Sequence, residues 1–134
     1  MKIMAANTQE EQKELVRLWD AQERELAELG RKMKDAGHIG QYLEQDSLVI
    51  ERVQFLDHQM EHGKIYTHAA WKKDKWATSQ YLITTATGGP HVEFDTDYII
   101  HVYWANGVWE DTTYDKDAIK AIKAIGYFLD AMYG

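Results

Sequence analysis

Residues 81–113 constrain the fold most strongly, because clear turn signals divide this stretch into short segments typical of strands. Gly88-Gly89-Pro90 predicts a sharp reversal, since glycine accepts positive φ and proline cannot donate to a β-ladder. Asn106-Gly107 predicts a type I′ hairpin turn, and Thr96-Asp97 predicts a further tight reversal. We therefore expect an antiparallel sheet of three or four strands, drawn from residues 78–87, 91–95, 98–104 and 108–112.

The first half of the chain has the periodicity of helices instead. Thr8 and Glu11 have the spacing of a capping box, and an apolar stripe follows at steps of three and four residues as far as Gly37. A second helix is predicted from Gln41 to His62, so that the two form an antiparallel helical hairpin. The two stripes consist of Leu15, Trp19, Leu26, Leu29 and Met33, with polar Gln22 in one slot, and of Tyr42, Gln45, Val49, Val53, Leu56 and Met60.

A third helix is predicted after the strands, with Asp115 as its N-cap and Tyr133 near its end. The whole pattern predicts an α+β fold in a single domain, 1–134, with a helical hairpin arm over 8–62 and a sheet plus C-terminal helix over 64–134. The helix is expected to bury a stripe of Ile119, Ile122, Ile125, Leu129 and Met132, with small residues bringing it close to the sheet.

Strict alternation over residues 91–95 predicts that Val92 and Phe94 point inward and that the polar residues between them point outward. On that outer face we predict a binding surface, with a cation site or an ordinary wet sheet face as alternatives. The outward residues of the strand are His91, Glu93 and Asp95, and those of the next strand include His101 and Tyr103.

Two local motifs give alternative functions. His58, Glu61 and His62 match an inverted zinc-protease pattern, which predicts a small metal-dependent hydrolase with His58 and His62 as weak metal ligands. The run from Trp71 to Trp76 brackets lysines between indoles, as nucleic-acid-binding segments do; the candidate contacts are Trp71, Lys72, Lys73 and Trp76.

Composition narrows the remaining choices. The 134 residues carry a net charge of -7 and include no cysteine, which disfavours nucleic acid as a partner and excludes thiol chemistry. There is no apolar run of membrane-spanning length and no signal-peptide pattern at the start, so a cytoplasmic protein is expected. No cofactor is predicted. The long acidic arm suggests a basic protein partner or a homodimer formed through the arm.

The segment Leu82-Ile83-Thr84-Thr85-Ala86-Thr87-Gly88-Gly89-Pro90-His91-Val92 resembles the Thr-Gly-Gly-Pro hairpin of small uncharacterised proteins encoded by phages, prophages and plasmids. In those proteins a Trp-bearing strand and a C-terminal helix also follow, so the resemblance covers residues 80–134. It implies an accessory protein of a mobile element. Together with the lack of a catalytic signature, it predicts a non-enzymatic interaction protein that binds a host protein, such as an anti-CRISPR-like or anti-restriction-like inhibitor of host defence.

Overall fold

The computed structural model describes residues 2–56, 59–64 and 77–133, and for residues 53–56, 59–64 and 77–79 it describes the backbone alone. Within these residues the chain forms three helices and seven strands, which confirms the α+β class. The strands make one antiparallel sheet in the order β1-β7-β6-β5-β4-β2-β3. In chain order the elements are β1 (Lys2–Ala5), α1 (Gln9–Lys32), α2 (Ala36–Asp46), β2 (Val49–Leu56), β3 (Gln59–Lys64), β4 (Ala77–Ala86), β5 (His91–Asp95), β6 (Ile99–Trp104), β7 (Gly107–Thr112) and α3 (Lys116–Tyr133).

The described helices form a layer on one face of the sheet. The indole Nε1 of Trp19 in α1 donates a hydrogen bond of 3.0 Å to the carbonyl oxygen of Ile100 in β6. The Tyr81 hydroxyl in β4 donates to Asp130 Oδ1 of α3 at 3.1 Å. Register places alternate residues of neighbouring strands on this same face, where apolar burial holds the layers together. The fully buried core includes Leu15, Leu26, Ile83, Phe94, Ile100, Val102, Ile122 and Ile125.

Helix α1 begins as its capping residue predicts, since Glu11 N donates to Thr8 Oγ1 at 3.0 Å. It ends at Lys32, before the predicted break at Gly37, which lies inside α2. The apolar stripe of α1 packs against the chain's own sheet, and Leu15 and Leu26 are fully buried. The arm therefore does not need a second copy to cover this stripe, and a homodimer through the arm stays a prediction.

The predicted second helix from Gln41 to His62 is wrong beyond residue 46. Val53, a member of its proposed stripe, lies in β2 and pairs with His62 of β3 on one side and Gln80 of β4 on the other. The backbone hydrogen bonds that β2 forms with β3 and β4 favour a strand here, although the local spacing of apolar residues matches a helix. Helix α2 accordingly ends at Asp46, and the sheet has more strands than the three or four predicted.

The turn signals predicted the positions of the hairpins correctly, but they predicted the wrong register for the β6–β7 hairpin. Gly88 has φ of 99°, as the predicted reversal requires. The β6–β7 loop, however, consists of Ala105 and Asn106, because Trp104 pairs with Gly107. A Cβ added at Gly107 would lie 2.8 Å from Leu15 Cδ1 and 3.1 Å from the Ala5 carbonyl oxygen, so a side chain there would require neighbouring atoms beneath α1 to shift.

Helix α3 starts at the predicted cap. Asp115 Oδ1 accepts hydrogen bonds from the backbone amides of Asp117 and Ala118, both at 3.0 Å. Ile122 and Leu129 are buried as expected, but Met132 is 58% exposed, so its predicted burial is wrong. Met132 instead lines an open groove between the end of α3 and the segment around α2.

Helices α1 and α3 come together at Gly30. A Cβ built on Gly30 would lie 1.9 Å from the backbone carbonyl oxygen of Asp117, which is far too close for two atoms that are not bonded. Glycine interrupts a helix at a cost of roughly 1 kcal/mol relative to alanine. The cost is tolerated here because it allows the backbones of two helices to touch.

We expect Gly30→Ala to lower the free energy of unfolding by about 2 kcal/mol, because separating the helices costs more than the gain in helix propensity. Urea denaturation followed by circular dichroism measures the change. Gly89→Ala is the matched control, since no atom lies within 4 Å of the added carbon, and it should change stability by less than about 0.5 kcal/mol. A Gly30→Ala variant as stable as wild type would contradict the close approach.

Candidate functional site

The sheet face opposite the described helices carries a group of polar and aromatic side chains. Strand pairing sets Glu93 beside His101 and His101 beside Glu110, so that one row crosses β5, β6 and β7. His91 pairs with Tyr103 in the neighbouring row of the same face. We call this group the polar face cluster; its members are His91, Glu93, Asp95, His101, Tyr103 and Glu110.

His101 lies at the centre of the cluster between two carboxylates. Its Nε2 is 2.8 Å from Asp95 Oδ2, and its Nδ1 is 3.5 Å from Glu110 Oε2. Burial lowers the pKa of His101, but the hydrogen bond to Asp95 and the charges of Asp95, Glu110 and Glu93 outweigh burial and raise that pKa above its usual 6.5. The acids around the imidazole therefore favour its cationic form.

The turn between β5 and β6 positions Asp95. Its Oδ1 accepts hydrogen bonds from the amides of Asp97 at 2.9 Å and Ile99 at 3.1 Å, which leaves Oδ2 directed at His101. Tyr98 in this turn adopts a φ of 70°, a conformation rare for a bulky residue. Asp95 lies on the predicted outer face with His101, but it is buried there, with only 3% of the residue exposed. The turn itself buries Asp95.

Tyr103 and His91 form the accessible edge of the cluster. Tyr103 is 37% exposed, and its hydroxyl donates to Glu110 Oε1 at 2.9 Å. Burial, followed by this hydrogen bond and by the charge of Glu110, raises the pKa of Tyr103 above its usual range. The rings of His91 and Tyr103 meet edge to face with centroids 5.7 Å apart, and His91 Nε2 is 3.3 Å from Glu93 Oε2. The edge thus presents two aromatic rings next to two carboxylates.

The charges of the cluster do not balance. Asp95, Glu93 and Glu110 supply three carboxylates, whereas His101 is the residue whose positive charge the surroundings promote. Nε2 of His101 is hydrogen-bonded to Asp95, whereas the buried Nδ1 lies near Glu110 without a hydrogen bond among the described residues. The excess of carboxylates therefore makes this face attractive to a cation.

The structure brings together the five residues predicted for this face, namely His91, Glu93, Asp95, His101 and Tyr103. Sequence reasoning missed Glu110, although a strand was predicted over residues 108–112. The missing information was the register of the β6–β7 hairpin, which sets Glu110 opposite His101. The other predicted contacts lie outside the described residues; they are Trp71, Lys72, Lys73 and Trp76.

The zinc-protease motif is not supported by the backbone. Glu61 and His62 lie in strand β3, and His58 lies outside the described residues. The motif requires a helix, where residues four apart share one face, so the helical prediction for Glu61 and His62 is wrong. Across the part of the chain that the structure describes, no group of three acidic or histidine side chains is arranged to hold a metal ion.

Comparison with known proteins gives no relative from which a function could be transferred. No protein-family model, curated protein or solved structure matches this chain. Among the described residues, none of the helices combines the length and the apolar character that crossing a bilayer requires.

Stability should depend on pH through His101. A pKa raised in the folded state means that the folded protein binds the proton more tightly, so this stabilisation is complete below pH 6.5 and is lost as the pH rises through the folded pKa. As the pH rises above about 6.5, the free energy of unfolding should therefore fall, and His101→Gln should flatten that slope. Urea denaturation at several pH values measures both, and an unchanged slope in His101→Gln would contradict the assignment.

Proposed function

We propose that this protein is a non-enzymatic interaction protein that binds a basic segment of a partner protein on the polar face cluster. The observation that carries the proposal is the excess of carboxylates next to exposed aromatic rings on the sheet face opposite the helices. The net charge of -7 supports it, because an acidic protein attracts a basic surface at long range.

An arginine side chain fits the chemistry of this face best. Glu93 and Glu110 are part-buried, with side chains 17% and 15% exposed, so a charge-assisted hydrogen bond to either is screened less than one at the open surface. A guanidinium can also stack on the exposed ring of Tyr103. Lysine would gain the charge interaction but less of the planar contact.

A host protein is the proposed source of the basic segment. Support for this part comes from the Thr-Gly-Gly-Pro hairpin around Gly88, which resembles that of mobile-element proteins and implies an accessory role. An accessory protein without catalytic groups acts by occupying a surface, and inhibition of host defence by such occupation is the activity that we propose. The metal-hydrolase alternative requires a helix, but Glu61 and His62 lie in strand β3. The residues of the nucleic-acid alternative, 71–76, lie outside the described part of the chain.

Selection of peptides from a random displayed library tests the binding proposal directly. We expect the full chain to enrich peptides that contain arginine, with affinity that falls as salt concentration rises. Glu93→Gln and Tyr103→Ala should each weaken the binding of a selected peptide about tenfold, because each removes one contact to the guanidinium. Titration followed by fluorescence anisotropy measures the change.

Two control variants make the same chemical changes elsewhere. Glu44→Gln removes one negative charge from α2, and Tyr127→Ala removes an aromatic ring that is 65% exposed on α3. Both should bind a selected peptide as wild type does. Enrichment of peptides without arginine or lysine, or equal losses in the control and cluster variants, would overturn the proposal.

A further inference from the structure

Strand β1 is the outermost strand at one end of the sheet. Within residues 2–56, 59–64 and 77–133, β7 is the one strand that pairs with it. The residues Lys2, Ile3 and Ala5 are exposed, so no described element covers them. An uncovered edge of this kind is a template to which a strand of another chain can add.

The hydrogen bonds of β7 show which of its residues face β1. Just past β7, the amide of Thr113 donates a hydrogen bond of 2.8 Å to the carbonyl oxygen of Tyr98, in the register of the β6–β7 pair. In an antiparallel ladder the bonding side alternates from one residue to the next. The odd-numbered residues of β7 therefore bond to β6, whereas Val108 and Glu110 bond to β1.

The same alternation identifies the backbone groups of β1 that point away from the sheet. Register pairs Val108 with Ala5 and Glu110 with Ile3, so the backbone N–H and C=O groups of Ile3 and Ala5 face β7. Those of Lys2 point in the opposite direction, and so do those of Met4, two residues further along. The edge thus presents two donors and two acceptors with the spacing of a β-ladder.

The two faces of the sheet differ in charge at this edge. Ile3 lies on the outer face in the row of Glu110, and it is 41% exposed. Lys2 lies on the helix face, with its Nζ 5.8 Å from the centre of the Trp109 ring. An added strand would meet a carboxylate on one face and a cation on the other. This pattern favours a strand with basic side chains at alternate positions, all on the outer face.

Arginine suits the outer position opposite Ile3. Its methylene stem can lie on the exposed Ile3 side chain while the guanidinium extends toward Glu110. Two strand spacings, about 10 Å, would separate β7 from the added strand, so a glutamate and an arginine extended toward each other can meet. The Glu110 carboxylate accepts the Tyr103 hydroxyl, and a carboxylate has acceptor sites for further donors.

We propose that an extended basic segment of the partner protein adds to β1 as a further antiparallel strand, with arginine at alternate positions on the side of Glu110. Its backbone bonds to Lys2 and Met4, and an arginine stem packs on Ile3. The antiparallel direction matches the rest of the sheet and gives the slightly more stable pairing. The inference rests on the proposed function, because it specifies how the basic segment is held beside the polar face cluster.

Amide hydrogen exchange followed by ¹H–¹⁵N spectra tests the added ladder. The probe is the octapeptide acetyl-Arg-Thr-Arg-Thr-Arg-Thr-Arg-Thr-amide, added until the spectral shifts are saturated. The amides of Lys2 and Met4 should exchange at least about threefold more slowly in the complex, because the added strand accepts their hydrogen bonds. The amides of Ile3 and Ala5 already bond to β7 and should change less. Unchanged exchange at Lys2 and Met4, or no saturable shift, would overturn the proposal.

Methylation of the peptide backbone tests the same ladder from the other side. In the antiparallel pairing each arginine lies opposite a residue such as Ile3, whose backbone faces β7, so the threonine amides are the ones that face β1. N-methylation of the threonines should abolish binding. N-methylation of the arginines should leave the affinity within about threefold of that of the unmodified octapeptide. Equal losses for the two methylated peptides would contradict the ladder.

Lys2→Pro removes an outward N–H of β1 and places a ring where the added strand would lie, although proline is tolerated at the first residue of an edge strand. It should weaken octapeptide binding at least about tenfold. Lys2→Gln loses the same charge but keeps the amide, and it should bind at least as tightly as wild type. Lys116→Pro is the matched control, because it makes the same exchange at the exposed first residue of α3, where proline is favoured.

The added strand and the proposed function can fail separately. Glu110→Gln should weaken octapeptide binding about tenfold, because it removes the carboxylate nearest the edge. Octapeptide binding of wild-type strength in Lys2→Pro, or an equal loss in Lys116→Pro, would exclude the added strand. If library peptides nevertheless require Glu93 and Tyr103, the proposed function stands without it. If the octapeptide requires the Lys2 amide while library peptides ignore Glu93 and Tyr103, the added strand is supported and the proposed site is wrong.

Discussion

The contact between the backbones of α1 and α3 at Gly30 is the constraint on which the helical layer depends. Without a side chain at this position, α1 lies against the start of α3, where Asp115 caps the helix and the Asp117 carbonyl oxygen fills the space that a Cβ would need. Nearer the start of α1, the indole of Trp19 donates a hydrogen bond to the backbone of β6 and fixes the helix over the sheet. The apolar face of the sheet is covered in this way, and the polar groups are left on the opposite face.

Sequence periodicity predicted the elements that bury one face and whose apolar residues fit a single period. It missed β2, whose apolar residues fit both a helix and a strand. The stripe of α1 and the alternation of β5 each match one period, and both were predicted correctly. In β2, the apolar positions at Val49 and Val53 fit a helix, while the intervening Ile50 and Arg52 fit a strand face buried under the helices. Local spacing cannot decide between these patterns, because the deciding interactions are the ladders to β3 and β4, and β4 begins at Ala77, well beyond the reach of a local pattern.

The candidate site shows the same division between local and distant information. Alternation along one strand was enough to place His91 and Glu93 on a common face. Had the β6–β7 loop consisted of Asn106 and Gly107, His101 would have faced Thr112 in place of Glu110. The loop consists instead of Ala105 and Asn106, and this register places Glu110 beside the imidazole.

The pairing of β1 with β7 has a consequence for synthesis of the chain. Lys2 faces Asp111, and the Trp19 bond to Ile100 joins residues 81 positions apart, so the contact order of the fold is high. While a ribosome is still making the middle of the chain, Leu15, Trp19 and Leu26 have no sheet to cover them. Folding must wait for the last hairpin to emerge, and until then the nascent chain displays an apolar stripe of the kind that chaperones bind.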